Sequence, residues 1–246
     1  MGSDPGRTAE PAVSVVLPVH DERENLAPLF EEIRTALRDR RIEIVAVDDA
    51  SSDGSDAELA RLAGAAPDVR VLRLGRRSGQ SAALAAGWVA ARAPVIVTLD
   101  ADGQNDPADI PRLLGMLMAE PSLEAVVGFR VARRDGGWKR LQAVVANRAR
   151  DVITGHRVRD TGCGLKVIRR RALVRLPRFD GMHRFLPTLL AREGARVAEV
   201  AVSHRPRRHG RTKYGMWNRA FRGLRDALGV RWLRRRTLTA DWEEVT

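Results

Sequence analysis

The stretch VIVTLDADGQNDP, residues 95–107, runs five mostly apolar, β-branched residues into three aspartates within seven positions. A short apolar run of this kind reads as a buried strand. Its acidic exit has two readings. Asp-x-Asp leaving a strand can direct two hard oxygen donors toward one Mg2+ or Mn2+, which in turn bridges diphosphate oxygens. The same residues also serve ordinary turn and capping chemistry.

On either side the chain keeps one rhythm. VSVVLPV (13–19) and IEIVAVDD (42–49) read as strands. Between them Leu26, Leu29, Phe30, Ile33 and Leu37 fall on one face of a helix. SSDGSDAELARLAG offers Ser and Asp caps before a short helix, and VRVLRL is the next strand. GQSAALAAGWVAARA is a helix of small residues that lets backbones approach closely. After the strand at 95–100, Asn105, Asp106 and Pro107 start a helix carrying Ile110, Leu113, Leu114, Leu117 and Met118, and LEAVVGF is again a strand. Strands alternating with helices predict an α/β fold, a mainly parallel sheet flanked by helices. GLKVIRR and ARVAEVAVSH are later strands. A helix follows the basic loop after Phe129, and MWNRAFRGLRDALGVRWLRRR closes the chain as a basic amphipathic helix.

The 246 residues are read as a flexible tail (1–11), one domain with its C-terminal helix (12–236) and an acidic tail (237–246). A lone Cys163 excludes an internal disulfide framework and a thiolate zinc site, which fits a reducing compartment. The first twelve residues lack the basic start and apolar core of a secretory signal. No run reaches the ~18 apolar residues of a membrane span, so the expectation is a protein that neither crosses a membrane nor leaves by that route. Residues 1–129 hold 13 basic and 21 acidic side chains, whereas residues 130–236 hold 30 and 7. An acidic half suits a cation and a basic half an anionic partner: nucleic acid, a phosphorylated substrate or a membrane surface.

Open α/β sheets hold ligands beyond the carboxyl ends of their strands. Two such ends are acidic here, VDDASSDGS with Asp48 and Asp49, and LDADGQNDP with Asp100 and Asp102. With VVLPVHDERENL and GQSAALAAG they form an ordered set that resembles the family 2 inverting glycosyltransferases of the GT-A fold. The branch making polyprenyl-phosphate sugars, such as dolichol-phosphate mannose synthase and its bacterial undecaprenyl-phosphate relatives, is most similar. The resemblance spans about residues 12–236.

That resemblance implies a set of roles. Pro18, His20 and Glu22 would line the nucleoside pocket, with His20 and Asp21 standing where the family usually has Tyr-Asn. Asp49 would contact base or ribose, next to Ala50 in place of the family's glycine. Gly79, Gln80, Ala101 and Gln104 would lie against the sugar nucleotide, and Asp100 and Asp102 would carry Mg2+ or Mn2+ with the diphosphate. Arg130 would sit near donor or acceptor phosphate. Asp160, in RDTGCGLKVI, would be the carboxylate nearest the transferred sugar, with Lys166 in support and Cys163 as packing. RRHGRTKYG fits R-x-x-G-x-[ST]-K, which makes Arg207, Thr212 and Lys213 phosphate-binding residues.

The implied reaction moves a sugar from a GDP- or UDP-linked donor to a polyprenyl phosphate at the cytoplasmic face of a membrane. The chain would attach peripherally to that anionic surface, through the last helix, for which covering the core is the other reading, or through a separate membrane protein. An alternative acceptor is a sugar hydroxyl on a lipid or polysaccharide, which needs a true base at Asp160. Nucleic acid, which the basic half alone would favour, is not expected as a partner, because it gives no reason for acidic strand ends and an Asp-x-Asp pocket.

Overall fold

The computed structural model describes residues 10–130, 155, 157–207, 225–226, 228–232 and 236. The chain divides into two compact units, residues 1–134 with 159–211, and residues 135–158 with 212–246.

The first unit is built on a seven-stranded sheet: β1 (Val13–Val19), β2 (Ile42–Asp48), β3 (Val69–Arg73), β4 (Val95–Thr98), β5 (Leu123–Arg130), β6 (Lys166–Arg169) and β7 (Arg196–Val202). Their order across the sheet is β3-β2-β1-β4-β6-β5-β7. All seven fall where the sequence places them. β1 pairs in parallel with β2 and β4, and β2 with β3. β6 runs antiparallel to both β4 and β5, while β5 and β7 are parallel. The reversed β6 therefore begins at the edge where the other strands end. Residues before β6 reach that edge together with those after β1, β2, β4, β5 and β7.

The helices are α1 (Arg23–Ala36), α2 (Ser55–Ala65), α3 (Gln80–Ala90), α4 (Ile110–Ala119), α5 (Arg170–Val174) and α6 (Leu186–Arg192), with 3-10 turns at Pro107–Asp109 and Met182–Arg184. Leu26, Leu29, Phe30 and Ile33 of α1 are buried, as is Leu37 just beyond it. α3 has little amphipathic character and packs instead by lacking bulk. A Cβ on Gly87 would stand 2.3 Å from Val16 Cγ1. In α4, Ile110, Leu113, Leu114 and Leu117 are buried, but Met118 is 43% exposed and does not join the face the spacing assigned it to. It directly follows Leu117, about 100° away around the helix. The expected start is there as the 3-10 turn leading into α4, with the Asp106 carboxylate accepting from the Ala108 amide and Pro107 following it.

In the second unit, residues 225–226, 228–232 and 236 are helical; Val230 is buried, whereas Leu228 and Trp232 are exposed. The rest of the expected C-terminal helix, and the expected helix between 130 and 154, lie outside the described residues. Among the described residues no helix is long and apolar enough to cross a membrane.

Candidate active site

The β1 and β2 exits are stapled to one another. The His20 Nδ1–H donates to the Asp49 carbonyl at 2.8 Å, and the Asp21 amide donates to Ser51 Oγ at 3.0 Å. Asp21 Oδ1 accepts from the Ser52 amide at 2.8 Å, and the Glu22 amide donates to Ser55 Oγ at 2.9 Å. Two non-glycine residues, Asp21 and Ala50, are held at φ +52°. The family's glycine position, filled here by Ala50, is thus one where the backbone is left-handed. The Asp49 carboxylate takes the Ser78 amide at 2.5 Å and the Gly79 amide at 2.8 Å, fixing the loop ahead of α3. Gly79 permits this at φ +89°. Pro18 is half-buried beside them.

The β4 exit holds the Asp-x-Asp pair. Asp100 Oδ1 accepts from Gln80 Nε2 at 2.8 Å. Behind it lies the Gly164 backbone, where a Cβ would meet Asp100 Cγ at 2.4 Å, and Thr98 Oγ1 fastens this segment by donating to the Gly164 carbonyl at 2.7 Å. Burial first, and then the Asp102 charge, push the Asp100 carboxyl up to about 6; Lys166, Arg130 and Gln80 oppose the shift. Ala101 is buried between the two aspartates. Asp102 Oδ1 accepts from the Gln104 amide at 3.1 Å, and its Oδ2 takes Nη2 of Arg207 at 2.7 Å. Gln104 is held in turn by Arg205, whose amide donates to its carbonyl at 2.8 Å.

Arg130 and Asp160 form a bidentate pair, Nε to Oδ2 at 2.6 Å and Nη2 to Oδ1 at 2.9 Å. Burial pulls the Asp160 carboxyl upward, but the Arg130 guanidinium and the Gly162 amide outweigh it and hold the group below the usual carboxylate range. Lys166 is buried and donates to the Cys163 carbonyl. Burial depresses its ammonium, against the upward pull of Cys163, Asp100 and Asp160. Cys163 is buried, with its thiol pushed up chiefly by that burial, so packing is the role the geometry gives it.

One edge of the sheet thus gathers Asp100, Asp102, Gln80, Gln104, Arg130, Asp160, Lys166 and Arg207. Thr212 and Lys213 lie outside the described residues. Sequence reasoning missed three parts of this arrangement: the Gly164 cradle, the Arg205 brace, and Ser81, whose hydroxyl bonds Nδ1 of His183 at 2.7 Å next to Gln80. The closely spaced glycines of TGCG ahead of β6 were a signal for the first; nothing local announces the others.

The donor chemistry suits a hard divalent ion. Two carboxylates stand close enough to repel, and a guanidinium already satisfies one as a stand-in cation. Among the described residues no three His, Cys, Asp or Glu side chains converge. A bound ion would therefore complete its shell with water or ligand oxygens, as Mg2+ does at phosphate sites.

Residues 14–176 match the profile of Glycosyl transferase family 2. Dodecaprenyl-phosphate galacturonate synthase of Rhizobium johnstonii is 36% identical over 234 residues, covering 93% of this chain and 68% of that protein. Undecaprenyl-phosphate 4-deoxy-4-formamido-L-arabinose transferase of Pseudomonas savastanoi pv. phaseolicola is 37% identical over 206 residues, 82% of this chain and 60% of that protein. The chain thus spans about two thirds of the length of these relatives. Glucosyl-3-phosphoglycerate synthase from Mycobacterium tuberculosis, solved with phosphoglyceric acid, aligns at a TM-score of 0.65 and 22% identity over 89% of this chain and 80% of that one. Mannosyltransferase PcManGT from Pyrobaculum calidifontis, solved with GDP-Man and Mn2+, aligns at 0.61 and 22% over 93% and 71%. These two likenesses establish the fold, the expected GT-A arrangement.

Proposed function

The chain belongs to glycosyl transferase family 2, and on that premise we propose that it transfers a sugar from a nucleotide donor to a polyprenyl phosphate, with inversion at the anomeric carbon and residues 12–236 as the working unit. The observation that carries the choice of acceptor is the Arg130–Asp160 pair. A carboxylate locked in a bidentate ion pair and held below its ordinary range is a poor general base. A sugar hydroxyl needs such a base, whereas a phosphate is already ionised at neutral pH and attacks without one. The names of both relatives specify a polyprenyl phosphate.

The remaining groups divide the work. Asp100 and Asp102 would hold Mg2+ or Mn2+, which supplies charge neutralisation for the leaving diphosphate. Arg207, with Thr212 and Lys213, binds phosphate oxygens and offsets the repulsion between donor diphosphate and acceptor phosphate. Asp160, oriented by Arg130, faces the positive charge that develops on the sugar, and Lys166 steadies the neighbouring carboxylates. Gln80 and Gln104 orient Asp100 and Asp102, while Pro18, His20, Glu22, Asp49, Gly79 and Ala101 shape the donor pocket. The chain works at the cytoplasmic face of the membrane, attached peripherally or through a membrane protein.

The test incubates the protein with a panel of GDP- and UDP-sugars, Mg2+ or Mn2+, and polyprenyl phosphate in detergent, following lipid-linked sugar. Product that disappears in Asp102→Asn is expected. Transfer to sugar hydroxyls but never to the lipid phosphate overturns the acceptor assignment.

A further inference from the structure

Acidic and basic side chains already face one another at the site edge before any ligand arrives. Asp100, Asp102 and Asp160, with Glu22 near Arg207, stand among Arg130, Lys166 and Arg207. Both oxygens of Asp102 are hydrogen-bonded: Oδ1 takes the Gln104 amide at 3.1 Å and Oδ2 the Arg207 guanidinium at 2.7 Å. Arg207 is parked in a field to which Asp102, Glu22 and Asp100 all contribute. Its side chain is 27% exposed and that of Asp102 14%, so the guanidinium can leave without unpacking the core.

A divalent ion arriving alone meets two obstacles. It must compete with the charge-assisted hydrogen bond at Oδ2, and it sets a doubly charged cation beside the Arg207 guanidinium. An ion arriving with a diphosphate meets neither. The diphosphate offsets the charge the ion brings and offers the guanidinium two parallel acceptors, the geometry arginine fits best. We propose that Arg207 closes Asp102 to free divalent cations and yields it only to a cation–diphosphate pair, so that the site selects the metal–nucleotide complex over the bare ion. This rests on the reading of Asp102 as an ion ligand and adds a gate to it.

The experiment titrates Mn2+ into the full chain, reading free Mn2+ by electron paramagnetic resonance, first alone and then with GDP or UDP. Arg207→Gln is expected to hold bare Mn2+ about tenfold more tightly than the wild type, the effect of removing one charge-assisted competitor. It is also expected to lose most of the enhancement that the nucleotide gives the wild type. Bare Mn2+ held no more tightly by an Arg207→Gln protein that melts like the wild type overturns the gate, and lipid-linked sugar made by that wild type leaves the reaction standing. Should Arg207→Gln melt early, the wild type decides: equal Mn2+ affinity with and without GDP or UDP overturns the proposal, and a rise of about tenfold or more supports it. Unchanged Mn2+–nucleotide binding in Asp102→Asn removes both the gate and the ion-ligand reading beneath it.

Discussion

Position 50 holds an alanine at φ +52°, where an L-residue is strained and glycine is not. Ala50→Gly should therefore raise stability by roughly 0.5–1 kcal/mol, the relief being partly cancelled by the greater freedom of glycine in the unfolded chain. A urea midpoint that moves up confirms this; one that moves down shows that the methyl group matters more than the strain. Gly164 sets a different constraint, because a Cβ there would overlap the Asp100 carboxylate at 2.4 Å. Gly164→Ala should displace Asp100 and weaken Mn2+–nucleotide binding about tenfold or more, while far-UV circular dichroism stays native. Retained binding would mean that Asp100 is not an ion ligand. His183, half-buried on Ser81, has its imidazole pushed down to about 3, first by burial and then by Arg184 and Lys166. The fold therefore favours the neutral ring. Its contribution is complete above the unfolded value near 6.5 and is lost as pH falls from there toward 3. Between pH 7 and pH 5 this group alone should remove about 1–2 kcal/mol. His183→Asn should flatten that part of the stability curve, and parallel curves from urea melts at the two pH values would refute the assignment.

Among the elements, α3 depends most on what it lacks. Gly87 faces Val16 and Val47 of β1 and β2, which would lie 2.3 Å and 3.3 Å from a methyl group added there. Gly87→Ala would gain about 1 kcal/mol of helix propensity and lose more by overpacking a sheet face buried on both sides. The expected net loss is about 1–2 kcal/mol, read as a lower denaturation midpoint, with Gly64→Ala in α2 as the control, since no atom lies within 4 Å of its added Cβ. The strands and the four long helices were legible because each carries a period or an unbroken β-branched run. The direction of β6 was not, since a four-residue strand with three buried residues encodes no orientation, and only pairing with β4 and β5 reverses it. α6 was missed for a related reason: Leu186, Pro187, Thr188, Leu189 and Leu190 are all buried, so no polar face marks the helical period. The site follows the same division. Acidic strand ends can be read locally, but Arg130–Asp160 joins residues 30 apart and Arg207–Asp102 residues 105 apart, partners that only the folded sheet brings together.

At the scale of the whole chain, the net charge of +12 is unevenly placed, with acidic side chains prevailing before residue 130 and basic ones prevailing from 130 to 236. A uniformly basic protein would attract any polyanion, nucleic acid included. Here the acidic strand exits lie at one edge of the sheet with Arg130, Lys166 and Arg207 among them, and most of the basic side chains lie elsewhere in the chain. Some of these are spent within the fold: Arg171 is paired with Glu124 and Arg205 with Glu32 and Asp106. Arg92, Arg170, Arg175 and Arg178 are exposed, and each cation brought to an anionic leaflet contributes about 1 kcal/mol, reduced by salt over a screening length of ~10 Å at 0.1 M. Exposed Leu228 and Trp232 add apolar surface that salt does not weaken. The full chain should therefore sediment with vesicles containing phosphatidylglycerol at low salt and not with pure phosphatidylcholine. At about 0.5 M salt most of it should be released while a minority stays bound. Replacing Trp232 by serine should remove that retained fraction and leave the low-salt binding nearly intact. Equal binding to both vesicle types would refute the electrostatic account, and an oligonucleotide that competes the protein off the vesicles at matched charge would restore nucleic acid as the rival partner.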